Sequence, residues 1–564
     1  ARRRALAPGF RRAGRGTVVS GAAVDGPPRA RTLGGVLVEV AARAPERPAV
    51  HHLGQSLTYA ELAAEASAAA GGLLELGVRR GDRVAILFGN QPEWLAAAFG
   101  ALSLGAVVVP LNTWSKGAEL EWTLRHCGVS ALITVDRFLR QDYAGLMEEI
   151  VPELGQGGGE LRSARLPALR SVVVAGRALR GATGWEELLR AGRLGGREEL
   201  ATAAAAVEPG DGAFILYTSG STGAPKGVVL RHGSVVESGF EIGARRLVGN
   251  EDVVWLGSPL FYGLGATNAL PVAITHGAAL ILDDSFDAGR AIAAIERHRA
   301  SVYYGTGNIT QAILDHPSFD RAKVGSLEKG NAGIAPEYKR LAIAELGVSL
   351  ATQAYGLTES HGHATGGRPE DPLEVKLRTD GEPLPGVEIL VVDPDSYSPL
   401  EQGETGRVLL RGHIASGYYG DPEEASAFRA DGWFDTGDLG QLDAENRFTF
   451  RGRLKEVIKT GGINVSPVEV EQLINTHPGV RDAHIIGIDH PSRGEVIVAV
   501  VDARRPLGEE EIREFVAEQA ASFKVPHHVL FRSEDQLPRL ATGKISKPLL
   551  AAQAREELGS DGWS

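Results

Sequence analysis

The chain has 564 residues, more than one hydrophobic core usually supports, so two or more domains are expected. Hydrophobic residues make up 43% and charged residues 23%, the balance of an ordinary soluble globular protein, and a net charge of −12 argues against nucleic acid as the main partner. The single cysteine, Cys127, excludes intramolecular disulfides and zinc–thiolate clusters, no apolar run is long enough for a bilayer, and a reducing cytoplasm is the expected compartment.

Residues 1–31 form a basic arm in which Arg2, Arg3, Arg4, Arg11, Arg12 and Arg15 lie among Ala, Gly and Pro. No apolar segment follows, so a secretory signal is not expected here. The arm reads as disordered or over-extended, with an Arg-rich transit peptide as the alternative. From Leu33 the pattern becomes regular: Val36, Leu37, Val40 and Ala41 recur at helical spacing before Pro45 and Pro48. An Ala/Leu-rich helix over 60–76, stopped by Gly77, precedes a strand at 84–87, a helix at 93–104 and a strand at 106–111. A helix at 120–126 and a strand at 131–134 follow, then a glycine-rich surface loop at 155–159 and a weak helix or linker at 201–206. Such alternation implies parallel sheets flanked by helices.

The stretch Tyr217-Thr218-Ser219-Gly220-Ser221-Thr222-Gly223-Ala224-Pro225-Lys226-Gly227 follows an apolar strand at 213–216. Its glycines let backbone N–H groups curl around an anion, while its hydroxyls and Lys226 add donors and charge. That is polyphosphate chemistry, although the order is not that of a Walker A loop. A flexible Gly/Ser linker is the bland alternative; the strand feeding the stretch and its non-repetitive order argue against it.

Strands at 253–256, 278–282 and 300–304 and a helix at 288–298 continue the pattern to a strand at 348–352. Short β segments at 387–392 and 407–411 indicate a β-rich subdomain. A second unit begins near Arg453–Lys455, with a helix at 468–475, strands at 480–488 and 495–501 and a helix at 509–522. The expected organisation is α/β: an N-terminal body over 32–453, comprising parallel sheets flanked by helices plus the small β-rich subdomain, a small mobile α+β domain over 454–551, and a tail over 552–564.

Three further stretches carry chemistry. Gln353-Ala354-Tyr355-Gly356-Leu357-Thr358-Glu359 offers a flat ring and hard oxygens suited to Mg²⁺. Gly432-Trp433-Phe434-Asp435-Thr436-Gly437-Asp438 presents a carboxylate in a glycine-defined turn, also a common turn-forming arrangement. Basic residues and a Gly pair between Gly452 and Glu471 precede a helix start at Pro467, and Lys544 sits on a glycine-hinged loop.

In this order the motifs resemble the adenylate-forming (AMP-binding) superfamily, in its acyl- and aryl-CoA synthetase branch, over residues from about Leu33 to Leu550. The resemblance implies ATP, Mg²⁺ and coenzyme A, with a small carboxylic acid as the other substrate. Thr218, Ser219, Gly220, Ser221, Thr222, Gly223 and Lys226 would hold the β- and γ-phosphates. Asn331, Ala332 and Gly333 match the segment against adenine, where relatives more often show Gly-Gly-Ala-Pro, so Asn331 and Gly333 are departures. Gln353, Ala354 and Gly356 would flank Tyr355 stacked on adenine; Thr358 would touch the α-phosphate and Glu359 would hold the metal. Asp438 would bind the ribose hydroxyls with Arg453 assisting, and Lys544 would reach the α-phosphate and the acid. Lys455 is the implied hinge, Gly462 would clear a pantetheine tunnel, and Gly461 and Lys459 are neighbouring contacts. Phe261, Tyr262, Gly263, Tyr304, Gly305 and Leu357 match the acyl pocket, and their aromatic content favours an aryl or short-to-medium acid. Free CoA is the expected acceptor, since no carrier module follows Lys544 in this sequence. A carrier-protein phosphopantetheine and a non-catalytic nucleotide-binding relative remain the alternatives.

Overall fold

The computed structural model describes residues 26–156, 161–218, 225–421, 424–460, 463–490, 494–540 and 545–559. Within them the strands expected from apolar runs assemble into two sheets with parallel cores. The larger has the order Gly417–Tyr418, Lys226–Arg231, Gly212–Thr218, Val107–Pro110, Arg83–Leu87, Ala131–Val135, Ser171–Ala175, Thr183–Gly184. Its strands are parallel from Gly212–Thr218 onward and antiparallel at the Lys226 edge. The second runs Lys329–Gly330, Val302–Tyr304, Val253–Leu256, Ala279–Leu282, Pro48–His52, Gln55–Thr58, and only its last pair is antiparallel. Strands such as Val107–Pro110 and Ala131–Val135 are buried throughout, as continuous apolar runs covered on both faces should be.

The helix Tyr59–Glu75 starts at a capping box in which Thr58 and Glu61 satisfy each other's backbone N–H groups. It packs closely on Pro92–Ser103 and Trp185–Leu194 because small residues line the contacts. A Cβ placed on Gly192 would lie 1.8 Å from the Ala68 carbonyl oxygen, so that crossing tolerates no side chain.

An antiparallel sheet follows, formed by Val387–Val392, Gly406–Gly412, Phe434–Leu442 and Phe448–Arg453. Beyond Arg453 lies a separate core. The long hairpin Val480–His490 and Gly494–Ala503 sends Ala483, Ile485, Ile497, Ala499 and Val501 to one face, packed with Val470, Ile512 and Val516. Ile486, Ile488, Val498 and Val500 go to the other, against Leu550 and Ala554 of the helix Lys547–Leu558. Two-residue periodicity thus gives one hairpin two apolar faces.

The expected strand at 348–352 is corrected. Ala351 N–H bonds back to Val348 O in a turn, and Thr352 makes only an isolated parallel bridge to Asn331. The neighbouring strand Lys329–Gly330 is too short to template a ladder. The expected helix at 509–522 stops at Gln519. In the expected glycine loop, Gly155 lies in a 3₁₀ turn, Pro152–Gln156, and residues 157–160 lie outside the described residues. No helix among the described residues is long and apolar enough to cross a membrane.

Candidate active site

The phosphate-type stretch is the tip of an antiparallel hairpin. Gly212–Thr218 pairs with Lys226–Arg231 so that Thr218 faces Lys226 across the ladder; Ser219, Gly220, Ser221, Thr222 and Gly223, between them, lie outside the described residues. Gly227 has no room for a side chain, since its Cβ would sit 2.9 Å from Ile215 Cγ2 and 3.3 Å from the Tyr217 ring. The edge strand Gly417–Tyr418 pairs with Val228 and Val229, and Tyr419 N–H donates to Gly227 O at 2.7 Å. This pairing carries Tyr418 beneath Lys226, whose Nζ lies 5.7 Å from the ring centre.

The same tyrosine hydroxyl donates to Glu359 Oε1 at 2.7 Å. Glu359 and Thr358 belong to a single 3₁₀ turn, Thr358–Ser360, and Ala415 N–H holds Glu359 O at 2.6 Å. Leu357 caps that turn through its N–H to Ser360 Oγ at 3.0 Å. Gly356 lies where a Cβ would approach Gly362 O to 2.4 Å. Gln353 is fully buried, its Nε2 reaching Thr379 Oγ1 at 3.4 Å, and Ala354 is buried beside it.

The second cluster is built by register. Asp438 and Arg453 are cross-strand partners in the antiparallel sheet, and Tyr355 OH donates to Asp438 Oδ2 at 2.8 Å. The Tyr355 ring packs 4.5 Å from Phe448 and 5.9 Å from Phe450, neither of which the sequence motifs singled out. Asp438 is 2% exposed; its Oδ1 has Arg453 Nε at 3.5 Å but no hydrogen-bond donor among the described residues. Burial pushes the Asp438 carboxyl up to about 6, against the Tyr355 hydrogen bond and the Arg453 charge, while Glu359 and Glu456 push it further up. A buried carboxylate with a spare acceptor is set to receive donors.

The departures Asn331 and Gly333 close a turn of their own. Asn331 Nδ2 donates to Gly305 O at 3.3 Å and its Oδ1 accepts Gly333 N–H at 3.3 Å, with Gly333 at φ 88° where a side chain would be strained. Ala332 N–H bonds to Thr352 O at 3.0 Å.

In the expected acyl region, Phe261 and Tyr262 meet Trp114 edge-on, at 5.5 and 5.7 Å between ring centres. Trp114 escaped the sequence reading because nothing near it repeats or alternates. Gly263 lies beside the hairpin, its Cβ position 3.9 Å from Thr358 Oγ1 and 3.8 Å from Leu216 Cδ1, and it leads into a π-helix, Leu264–Ala269. Tyr304 is fully buried beneath the Arg246 guanidinium, 4.8 Å away, and the Tyr262 hydroxyl is buried without a hydrogen-bond partner among the described residues. Burial lifts Tyr262 to about 12. Gly305 excludes any side chain, since a Cβ would meet Tyr303 Oη at 2.1 Å.

Lys455 stands in the 3₁₀ turn Leu454–Glu456 that leaves the antiparallel sheet, and Lys459 lies on the strand Ile458–Thr460. Gly461, Gly462 and Lys544 lie outside the described residues. A cavity of about 450 Å³ lined by Asp82, Arg83, Ser130, Arg162 and Arg170 opens at the amino ends of the parallel strands, the far end of the sheet from Thr218.

Two family models match the sequence: AMP-binding enzyme over residues 37–419, and AMP-binding enzyme C-terminal domain over 469–544. The chain belongs to the AMP-binding enzyme family. This AMP-binding enzyme is 30% identical to a putative acyl-CoA synthetase, YngI, of Bacillus subtilis, covering 92% of the chain and 96% of the relative. It is 35% identical to a methyl-dioxo-octahydroindenyl-propanoyl:CoA ligase of Mycobacterium tuberculosis over 92% and 98% of the two chains. Its fold matches the anthranilate CoA ligase AuaEII in complex with anthranoyl-AMP with a TM-score of 0.81, at 26% identity over 93% of the chain and 98% of that structure.

The donor sets fit the substrates and ion this family implies. Asp438 Oδ1 is a buried acceptor without a hydrogen-bond donor among the described residues, which suits hydroxyl groups. Among the described residues no group of three or more His, Cys, Asp or Glu side chains could cage a metal. Glu359, beside the phosphate-type hairpin, is a hard carboxylate of the kind Mg²⁺ takes together with phosphate oxygens and water.

Proposed function

We propose that the chain is an ATP-dependent carboxylic acid–CoA ligase that forms an acyl-adenylate and then a thioester. The observation that carries this reading is the Tyr355–Asp438–Arg453 cluster, a buried carboxylate with one oxygen hydrogen-bonded to Tyr355 and the other beside Arg453 with no hydrogen-bond donor among the described residues, close enough to Glu359 for the two charges to interact. The CoA-ligase names of its relatives, and a structural neighbour holding an acyl-AMP, support the same reading.

In the first half-reaction a carboxylate oxygen of the acid bonds to the α-phosphorus as the bond to pyrophosphate breaks. Two anions must meet, so positioning and positive charge dominate. Thr218 through Lys226 cradle the β- and γ-phosphates, Thr358 and Lys544 address the α-phosphate, and Asp438 accepts the ribose hydroxyls with Arg453 at its side. Tyr355, with Gln353, Ala354 and Gly356, and the Asn331–Gly333 turn border the base. Glu359 would hold Mg²⁺, which would supply charge neutralisation on the phosphates. In the second half-reaction the CoA thiol attacks the acyl carbonyl, AMP leaves and the thiol proton is released. Lys455 pivots the domain over 454–551 away from the body of 32–453, withdrawing Lys544, while Lys459, Gly461 and Gly462 border the entering thiol arm.

The acid sits among Phe261, Tyr262, Gly263, Tyr304, Gly305 and Leu357. Aromatic walls suit an aryl or short-to-medium acid, and the structural neighbours include an anthranilate and a benzoate CoA ligase. The test is acid-dependent pyrophosphate release across aryl, fatty and amino acids, followed by CoA or an isolated carrier protein. Thioester on CoA with an aryl or medium-chain acid is the expected result. Thioester on the carrier alone, or no release with any acid, refutes the reading.

A further inference from the structure

The Glu359 carboxylate does not stand alone. We propose that Tyr418 is a positioning residue for the divalent cation of the nucleotide, presetting Glu359 through its hydroxyl; the inference rests on the ligase reading and on Glu359 as the metal carboxylate. Tyr418 OH donates to Glu359 Oε1 at 2.7 Å, which orients the carboxylate from one side. Glu359 is only 9% exposed, so this hydrogen bond works in a weakly screened setting.

Three features fix the tyrosine in turn. Its strand is zipped onto Val228 and Val229, the exit arm of the phosphate-type hairpin. Its ring meets Phe428 edge-on at 5.3 Å. Lys226 Nζ sits 5.7 Å from the same ring centre. One side chain therefore ties the metal carboxylate to the lysine of the phosphate loop, so that cation and phosphates meet groups already in register. Hydrogen-bond partners of a metal-ligating carboxylate set its orientation and basicity, and their loss typically costs about 10–100-fold in metal affinity.

The experiment measures, for wild type, Tyr418→Phe and Phe428→Leu, the Mg²⁺ concentration that half-saturates acid-dependent pyrophosphate release, and Mn²⁺ binding by electron paramagnetic resonance with a non-hydrolysable ATP analogue. Tyr418→Phe keeps the ring and is expected to raise the Mg²⁺ midpoint and weaken Mn²⁺ about tenfold or more, with a smaller fall in rate at saturating Mg²⁺. Phe428→Leu loosens the packing of the ring but keeps the hydroxyl, and is expected to shift both midpoints in the same direction and by much less than Tyr418→Phe. In a Glu359→Gln background Tyr418→Phe should add little, because the hydroxyl acts through Glu359. If Tyr418→Phe does not fold, Tyr418→Trp, which also lacks the hydroxyl, takes its place. An unchanged Mg²⁺ midpoint and Mn²⁺ affinity, or equal effects in the Glu and Gln backgrounds, overturn the proposal while wild-type pyrophosphate release still stands. Absence of that release in wild type refutes the ligase reading instead.

Discussion

Replacing Asp438 by Asn should make this protein more stable and a poorer nucleotide binder. The carboxyl titrates at about 6 in the folded chain against an ordinary value of 3.8. That difference amounts to about 3 kcal/mol against the charged form at neutral pH, and it is already net of the Tyr355 hydrogen bond and the Arg453 charge that favour ionisation. Asn fills the same volume without the charge, so up to about 3 kcal/mol is relieved at pH 7.5, a rise of several degrees in the unfolding midpoint of the body. For a carboxyl raised in the native state, the folded chain binds the extra proton between 3.8 and about 6. The Asp438 contribution to wild-type stability therefore falls as pH rises through that window and is flat above it. The gap between Asp438→Asn and wild type should be about a third of its full size near pH 4.5 and full by pH 7.5. Thermal unfolding at both pH values, with ATP binding by calorimetry at pH 7.5, tests this. ATP affinity should fall about tenfold or more, since hydrogen bonds to a charged acceptor are exchanged for bonds to an amide. An Asn variant no more stable than wild type at pH 7.5, or a gap independent of pH, would refute the reasoning.

Wild-type ATP affinity should decline below about pH 6 as Asp438 takes up its proton, whereas the Asp438→Asn variant should show no such decline in a calorimetric pH series. Lys544→Ala should sharply slow acid-dependent pyrophosphate release yet spare thioester formation from supplied acyl-adenylate; equal loss in both steps argues against a withdrawn lysine. Lys455→Pro should stiffen the turn Leu454–Glu456 and slow mainly the thioester step in single-turnover assays, and an unchanged second step counts against the hinge. Gly305→Ala forces a methyl to 2.1 Å from Tyr303 Oη, which Thr310 Oγ1 holds at 2.8 Å, and should cost about 1–3 kcal/mol by denaturant unfolding.

Much of the framework follows from local pattern. Buried parallel strands are continuous apolar runs, and the helix at 60–76 carries its own start signal at Thr58 and Glu61. Chemistry-bearing residues stood out where Gly, hydroxyl and Lys recur within one stretch, as at Thr218 to Lys226. The strand expected at 348–352 failed because an apolar run becomes a strand only when a neighbour supplies its ladder, and Lys329–Gly330 extends for two residues. Tyr418 went unnoticed for a similar reason: Gly417-Tyr418-Tyr419 reads as a Gly-flanked turn until it pairs with Val228.

The sequence by itself determined which residues could bind phosphate, ribose and metal, because residue type sets donor, acceptor and charge. Only the tertiary structure decided how those groups stand. Register brings Arg453 opposite Asp438, burial raises the Asp438 carboxyl to about 6, and the hairpin's edge delivers the Tyr418 hydroxyl to Glu359 from 59 residues away. Desolvation and hydrogen-bond geometry depend on neighbours distant along the chain, and no local spacing encodes them.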